Sequence, residues 1–235
     1  MTGLVIFGLG RSGSTLLASL LNEHPAIHCD GEILKRAYGR PWRHSLAPLL
    51  LRCPIPYLTL RKFMVQRTGP SIYGFKLHLH QARHPERLIP QLRGLGWHIR
   101  HLERLSSFAM TISALVARDT RRYHGKQNQI EPDIAPFAIA PDQFLSILRN
   151  REQSARRCRE IAASVPRLHL VYEHDLASPD CWTITVERIC THIGIEPPAG
   201  PVTTHLQKPW SRPYSELVTN YSALVELARK DGYDV

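Results

Sequence analysis

Two hydrophobic periods alternate along the chain. Leu4–Leu9 is an apolar run of strand length, and Thr15–Asn22 follows it with Leu16, Leu17, Leu20 and Leu21 at helical spacing. Pro25 stops that helix, and Ala26–Cys29 reads as a second strand ending in the turn Asp30-Gly31-Glu32. Residues 35–68 are helical in pattern but interrupted by Pro41, Pro48, Pro54 and Pro56, which predicts short helices joined by turns. Tyr73–His80 alternates as a third strand, with Lys76, His78 and His80 on one face and Phe75, Leu77 and Leu79 on the other. Trp97–Glu103 is a fourth strand. A helix through Phe108, Ile112, Leu115 and Val116 follows, with Ser106 or Ser107 as its cap.

The stretch from Asp119 to Pro141 has no period and is polar and proline-bearing, which suits a loop or lid. After Pro141, the positions of Phe144, Leu145, Leu148, Cys158, Ile161 and Ala162 predict a basic amphipathic helix whose Arg156, Arg157 and Arg159 face solvent. Leu168–Tyr172 is a fifth strand, and Trp182–Ile193 a helix stopped by Gly194. A basic loop pinned by prolines, Leu206–Tyr214, precedes a last helix, Ser215–Ala228. No internal repeat or low-complexity linker interrupts this order. The pattern predicts a single α/β domain over residues 1–235, P-loop-like, with three α/β/α layers and a central, mainly parallel sheet of about five strands. Residues 35–68 and 119–140 are the expected insertions.

Composition narrows the setting. A chain of 235 residues can bury a full α/β core. No apolar run approaches the roughly 20 residues of a membrane span, and the apolar start reads as a strand rather than a signal peptide. The five cysteines show no metal or disulfide spacing, so reduced thiols in a cytoplasmic protein are the expectation. A net charge of +10 points to an anionic partner, yet no aromatic-plus-basic module or zinc pattern indicates nucleic acid.

The chemistry gathers at Gly8–Thr15. A strand running through Gly8, Gly10 and Gly13 into a helix leaves backbone N–H groups aimed at one point, which favours an oxyanion. Gly8 and Gly13 have the spacing of a nucleoside-triphosphate loop, with Thr15 at the magnesium-binding hydroxyl, but Ser14 stands where that loop needs lysine. Gly8-x-Gly10-x-x-Gly13, with Asp30 about twenty residues on, also fits a dinucleotide fingerprint. A third possibility keeps Arg11 as the cation and small hydroxyl residues after it, which suits a 5′-phosphosulfate without a metal. Glu32 lies at the carboxyl edge of the sheet, where ligands bind in open α/β folds. His78 and His80 form an HxH pair with no third ligand nearby in sequence, so no metal is expected. Arg104 on a strand end and Ser113 on the following helix can together grip a second phosphate.

Gly10-Arg-Ser-Gly-Ser-Thr-Leu-Leu17, followed by Leu21-Asn-Glu-His-Pro25, resembles the opening of bacterial and carbohydrate sulfotransferases. Leu102–Ser113 resembles the 3′-phosphate motif of that family. Leu170–Leu176 and Lys208–Tyr221 resemble its late segments. The resemblance leans toward the nodulation-factor and trehalose types. It implies transfer of a sulfuryl group from 3′-phosphoadenosine 5′-phosphosulfate (PAPS) to a hydroxyl of a carbohydrate or similar small acceptor, with release of PAP. It also implies that Gly10, Arg11, Ser12, Gly13, Ser14, Thr15 and Leu16 form the 5′-phosphosulfate loop, with Arg11 as its basic residue. Arg104 and Ser113 would grip the 3′-phosphate, Lys208 and Arg212 would belong to the late donor-binding loop, and Glu32 would be the general base with His78 in reserve. Ser106 departs from the Asn or Asp usual in the 3′ motif. The alternatives are a nucleotide kinase with a degenerate loop, a dinucleotide oxidoreductase, and a non-catalytic protein binding PAP or an anionic glycan.

Overall fold

A computed structural model of the protein describes residues 2–34, 54–126 and 131–235. Its centre is a five-stranded, all-parallel sheet in the order β2-β3-β1-β4-β6. The strands are β1 (Thr2–Gly8), β2 (Ile27–Asp30), β3 (Ile72–His78), β4 (Trp97–Glu103) and β6 (Arg167–Val171). β1 is flanked by β3 and β4, paired from Gly3↔Tyr73 to Gly8↔His78 on one side and from Gly3↔Trp97 to Gly8↔Leu102 on the other. Strand order reverses at β1, so both neighbours deliver their carboxyl ends beside its exit.

Residue alternation along β1 divides the core. Val5 and Phe7 pack with Tyr73, Phe75, Leu77, Trp97 and Ile99 under α2 (Pro54–Gln66), α3 (Pro85–Gly94) and α5 (Pro141–Ala163). Leu4 and Ile6 pack on the opposite face with α1 (Ser14–Asn22) and α7 (Trp182–Ile193). A third cluster joins α5 to α4 (Ser107–Thr120), α8 (Tyr214–Leu217) and α9 (Tyr221–Lys230), with edge-to-face contacts of Phe108 to Phe144 and Tyr221. Among the described residues no helix is long and apolar enough to cross a membrane.

Several expectations shift by physical cause. The third strand ends at His78 rather than His80, because the Gln81 side chain accepts the His78 backbone N–H at 3.0 Å and Leu79–Gln81 closes a 3-10 turn. His80 is therefore exposed instead of sharing the strand face. The expected last helix is two helices. Phe137 bonds Leu217 and Thr219 through the backbone at 3.1 and 3.0 Å, and the Asn220 amide brackets Ile139, which pulls the chain out of helical geometry there. Helix α3 was not predicted, although Pro85 at its start and Leu88, Ile89 and Leu92 on its buried face are ordinary signals. A two-residue pairing of β5 (Gly125–Lys126) with β7 (Leu206–Gln207) ties the 119–140 stretch to the late basic loop. The expected helices and turns of residues 35–53 lie outside the described residues; 54–66 is helical, with Pro54 and Pro56 in its first turn where proline costs little.

Asp30, the last residue of β2, accepts from Arg61 at 3.0 Å, from Tyr73 Oη at 2.9 Å and from His28 at 3.2 Å, and so fastens α2 to the sheet edge beside Glu32. Burial alone would raise its pKa, but these bonds outweigh burial and hold it below 3.8. A depressed carboxylate contributes stability that is present above its unfolded pKa and lost as pH falls through the folded one. Urea midpoints measured between pH 5 and pH 3 should therefore fall less steeply for Asp30→Asn than for the parent; equal slopes would show that this cluster does not fasten the edge.

Candidate functional site

The β1–α1 turn is built around enforced backbone conformations. A Cβ on Gly8 would lie 2.3 Å from the Leu102 carbonyl oxygen, and one on Gly13 2.6 Å from the Tyr172 ring. Gly13 is left-handed at φ 92°, and Arg11 is also left-handed at φ 74°, a conformation that costs a non-glycine residue about a kcal/mol or more. The turn is held against that cost from outside. Arg104 Nη1 donates to the Arg11 carbonyl at 3.1 Å, and Arg151 Nη1 donates to the Gly10 carbonyl at 3.1 Å. Buried Ser12 donates to the Leu9 carbonyl at 2.8 Å. Gly13 makes no side-chain cap, so the opening amides of α1 keep their capacity for an anion.

On the β2–β3 side the turn meets a polar cluster that follows from strand alternation. Lys76 and His78 project from β3 toward α1, opposite the apolar residues Phe75 and Leu77. Lys76 Nζ donates to Thr15 Oγ1 at 2.8 Å and lies 4.0 Å from Glu32 Oε1. His78 Nε2 is 3.0 Å from Ser14 Oγ, and its Nδ1 is 3.7 Å from Glu32 Oε2. Gln81 donates to that same Glu32 oxygen at 2.7 Å. Glu32 keeps partial exposure, whereas Lys76 and His78 are buried. A carboxylate fixed by an amide, with a lysine and an imidazole behind it, is suited to taking a proton from a hydroxyl at the turn.

The β4 side gathers positive charge. Arg11 extends away from the turn and donates Nε to Ser113 Oγ at 3.0 Å and Nη1 to the Tyr123 carbonyl at 2.7 Å. Tyr214 Oη donates to the same Ser113 hydroxyl at 3.1 Å. Arg104 lies over the Tyr172 ring at 4.6 Å, with Glu173 3.8 Å from its Nε. Arg151 reaches in from α5. Burial lowers the pKa of Arg11, and the neighbouring Arg104 lowers it further. Burial, followed by the charges of Arg11 and Arg104, pushes Arg151 down to about 10. The Nε atoms of Arg104 and Arg151 are buried without a hydrogen-bond partner. Three guanidinium groups this close together, with one carboxylate beside them, have the charge to suit a multiply charged anion.

The sequence-chosen residues thus divide. Gly10–Leu16, Glu32, His78, Arg104 and Ser113 all come to one sheet edge. Arg11 does too, but its side chain turns to Ser113 rather than over the turn, because its left-handed backbone aims it at α4. Lys208 is exposed, and Arg212 pairs with Glu131 at 3.7 Å and Asp133 at 4.0 Å. The late loop also contributes Tyr214. Arg151 was missed. Its signal was an arginine in line with Leu148, Ala155 and Cys158, on the apolar stripe of a helix. Arg156, Arg157 and Arg159 are exposed as expected.

Among the described residues, one group, His101, Glu103 and His169, has donor atoms within 4.8 Å of one another, a spacing that suits a metal ion and was not expected. Glu103 is already held by Arg159 at 2.7 Å and His169 at 2.9 Å, an ion-pair network that competes with a cation.

Residues 3–46 match the model described as the sulfotransferase family. No curated protein sequence matches the chain. A sulfotransferase from Alicyclobacillus acidocaldarius aligns over 100% of this chain and 97% of its own at 12% identity, with a TM-score of 0.50. The sulfotransferase domain of the Synechococcus PCC 7002 olefin synthase aligns over 100% and 96% at 14% identity, TM-score 0.49. The Deinococcus radiodurans tunicamycin resistance protein aligns over 84% and 100% at 17% identity, TM-score 0.47. The opening segment is thus similar to the sulfotransferase family, and the fold is that of a sulfotransferase.

Proposed function

We propose that the protein transfers a sulfuryl group from PAPS to a hydroxyl of a carbohydrate or similar small acceptor. The observation that supports this reading is the pair of polar clusters on either side of one anion-binding turn. A donor with two separate anionic ends has a use for both. The amides and hydroxyls of Ser12–Leu16 would hold the 5′-phosphosulfate, with Lys76 supplying the cation that a triphosphate loop takes from the position of Ser14. Arg104, Ser113 and Arg11 would hold the 3′-phosphate. Arg11 thus changes its assigned end, since its guanidinium already meets Ser113.

Sulfuryl transfer needs in-line placement and neutralisation of charge growing on the leaving phosphate oxygen. Glu32, pinned by Gln81, takes the acceptor proton, and Lys76 with the α1 amides stabilises the leaving oxygen. Thr15, where a kinase-type loop binds magnesium through its hydroxyl, already accepts a bond from Lys76. That arrangement favours metal-independent transfer over the kinase alternative.

Calorimetric titration with PAP, adenosine 5′-phosphate and ATP–magnesium tests the donor, and PAP formation from PAPS over a panel of mono- and disaccharides tests the reaction. Binding of ATP–magnesium or NADH without PAP would overturn the reading; PAP binding without transfer to any sugar or to water would leave a binding protein only. Arg104→Ala should weaken PAP by about 10- to 100-fold more, the worth of one charge-assisted bond, than it weakens adenosine 5′-phosphate, whose smaller loss reports the released Arg11 carbonyl. Equal losses for both ligands would remove Arg104 from the 3′-phosphate. Glu32→Gln should lower turnover by about 10²–10⁴-fold while PAP affinity stays within a few-fold, and wild-type turnover would dismiss Glu32 as the base.

Arg151→Met loses one bond to the Gly10 carbonyl but relieves repulsion among the arginines. Its ligand-free stability should therefore shift by less than about 1 kcal/mol, whereas the rise in melting temperature on adding PAP should shrink. An undiminished rise would place Arg151 outside the anion site.

A further inference from the structure

We propose that His101, Glu103 and His169 form a site for a divalent metal ion of the zinc type, which clasps β4 to the edge strand β6. Register puts the three side chains on one face of the sheet. His101 and His169 are direct partners across the parallel pair, and Glu103 stands two residues further along β4. Their donor atoms lie within 4.8 Å of one another, with His169 Nε2 and Glu103 Oε2 at 2.9 Å. The two imidazole planes are 13° apart and their centres 5.0 Å apart. Tetrahedral zinc, with bonds of about 2.0–2.1 Å, sets its ligand atoms about 3.3 Å apart. Small rotations of the two rings therefore close the set.

The ion pairs around Glu103 leave His101 out. His101 is 2% exposed, and its Nδ1 is buried without a hydrogen-bond partner. Buried polar atoms are ordinarily paired, so an orphan of this kind calls for a partner. Glu103 spends one oxygen on Arg159 at 2.7 Å and the other on His169 at 2.9 Å. Two imidazoles and a carboxylate are a donor set for zinc, whereas magnesium and calcium take oxygens. His169 is exposed, so solvent reaches the group and can supply water as the fourth ligand. Glu103 directly precedes Arg104. The ion thus steadies from behind the strand end that carries an arginine of the anion site, and it takes no part in transfer.

Two arginines, Arg159 on α5 and Arg167 on β6, face the group and oppose a cation. Arg159 is nearly half exposed and already touches Glu152 at 3.4 Å. It can therefore leave Glu103 and keep a carboxylate, while the ion takes its place as the counter-charge. Arg167 stays and holds the affinity below that of a site ringed by carboxylates. The hydrogen between His169 Nε2 and Glu103 must leave that nitrogen when the ion binds. A cationic ring releases it to solvent as one proton. A neutral ring exchanges it through solvent for a hydrogen on Nδ1, with no net release.

Calorimetric titration of the protein with zinc chloride tests the site, and the melting temperature should rise with zinc concentration. His169→Gln changes an exposed position and should fold. It should weaken zinc by more than about 100-fold, since even an outer-shell partner of a metal is worth up to that much. Arg159→Met should do the opposite and tighten zinc by about 10- to 100-fold, the worth of a charged hydrogen bond that no longer has to be broken. His84→Gln, which removes an exposed histidine paired with Glu86 outside the group, should leave the affinity unchanged. Cobalt in place of zinc should give the visible absorption of a tetrahedral ion in the parent and in Arg159→Met, and lose it in His169→Gln. Absence of binding by the parent, binding that survives His169→Gln, binding that fails to tighten in Arg159→Met, or equal binding of magnesium would each overturn the site. None of these measurements uses PAP, so the metal site and the proposed function stand or fall separately.

Discussion

The site depends on how the β1–α1 turn is restrained. Arg11 adopts a left-handed backbone without being glycine, and two guanidinium groups, from Arg104 and Arg151, hold the carbonyl oxygens of Arg11 and Gly10. Carbonyls tied outward in this way leave the turn's other polar groups for a ligand. The same restraint brings like charges together. Burial and mutual repulsion pull the pKa values of Arg11 and Arg151 down, yet both remain cationic at neutral pH. Cations gathered at such a cost are an arrangement that an anion completes.

Position in the sheet explains why two clusters form and not one. β1 is the strand at which the order reverses, so β3 and β4 end on opposite sides of its exit. β3 sends Lys76 and His78 toward α1 because strand alternation leaves Phe75 and Leu77 for the core on its other face. β4 runs into Arg104, and α4 then carries Ser113. Nothing local links these residues; they meet because the three strands are parallel and in register.

What could be read from the chain follows from that distinction. Apolar periodicity disclosed all five strands of the main sheet, with errors of a residue or two at their ends, and the glycine turn with its helix. Local spacing also disclosed Glu32 at a strand end and the separation of Arg104 from Ser113. It did not disclose Arg151, because an arginine on an apolar helical stripe makes sense only once the Gly10 carbonyl is known to lie against it. Nor did it disclose Tyr214, which enters the site through a chain reversal set by Phe137 and Asn220. Lys208 and Arg212 follow from the resemblance of the late segment, and the sequence does not disclose the ion pairs of Arg212 with Glu131 and Asp133, which lie about 80 residues away. The strand overrun to His80 has a similar origin, since side-chain capping by Gln81 leaves the alternation of apolar residues unchanged.

Charge asymmetry then bears on how an unsymmetrical donor would lie. Among the described residues, the flank holding Glu32, Lys76 and His78 has one carboxylate and one ammonium 4.0 Å apart. The opposite flank sets three guanidinium groups against Glu173 alone. A unit charge interacts with another at 4 Å by about 4 kcal/mol where the effective dielectric constant is near 20. On the proposed reading, the flank with the three guanidinium groups would draw the more highly charged end, a terminal phosphate, and the flank of Glu32 would receive the reacting end. The separation of the two clusters across β1 would thus let one turn hold the terminal phosphate of such a donor at one end and its reacting group at the other.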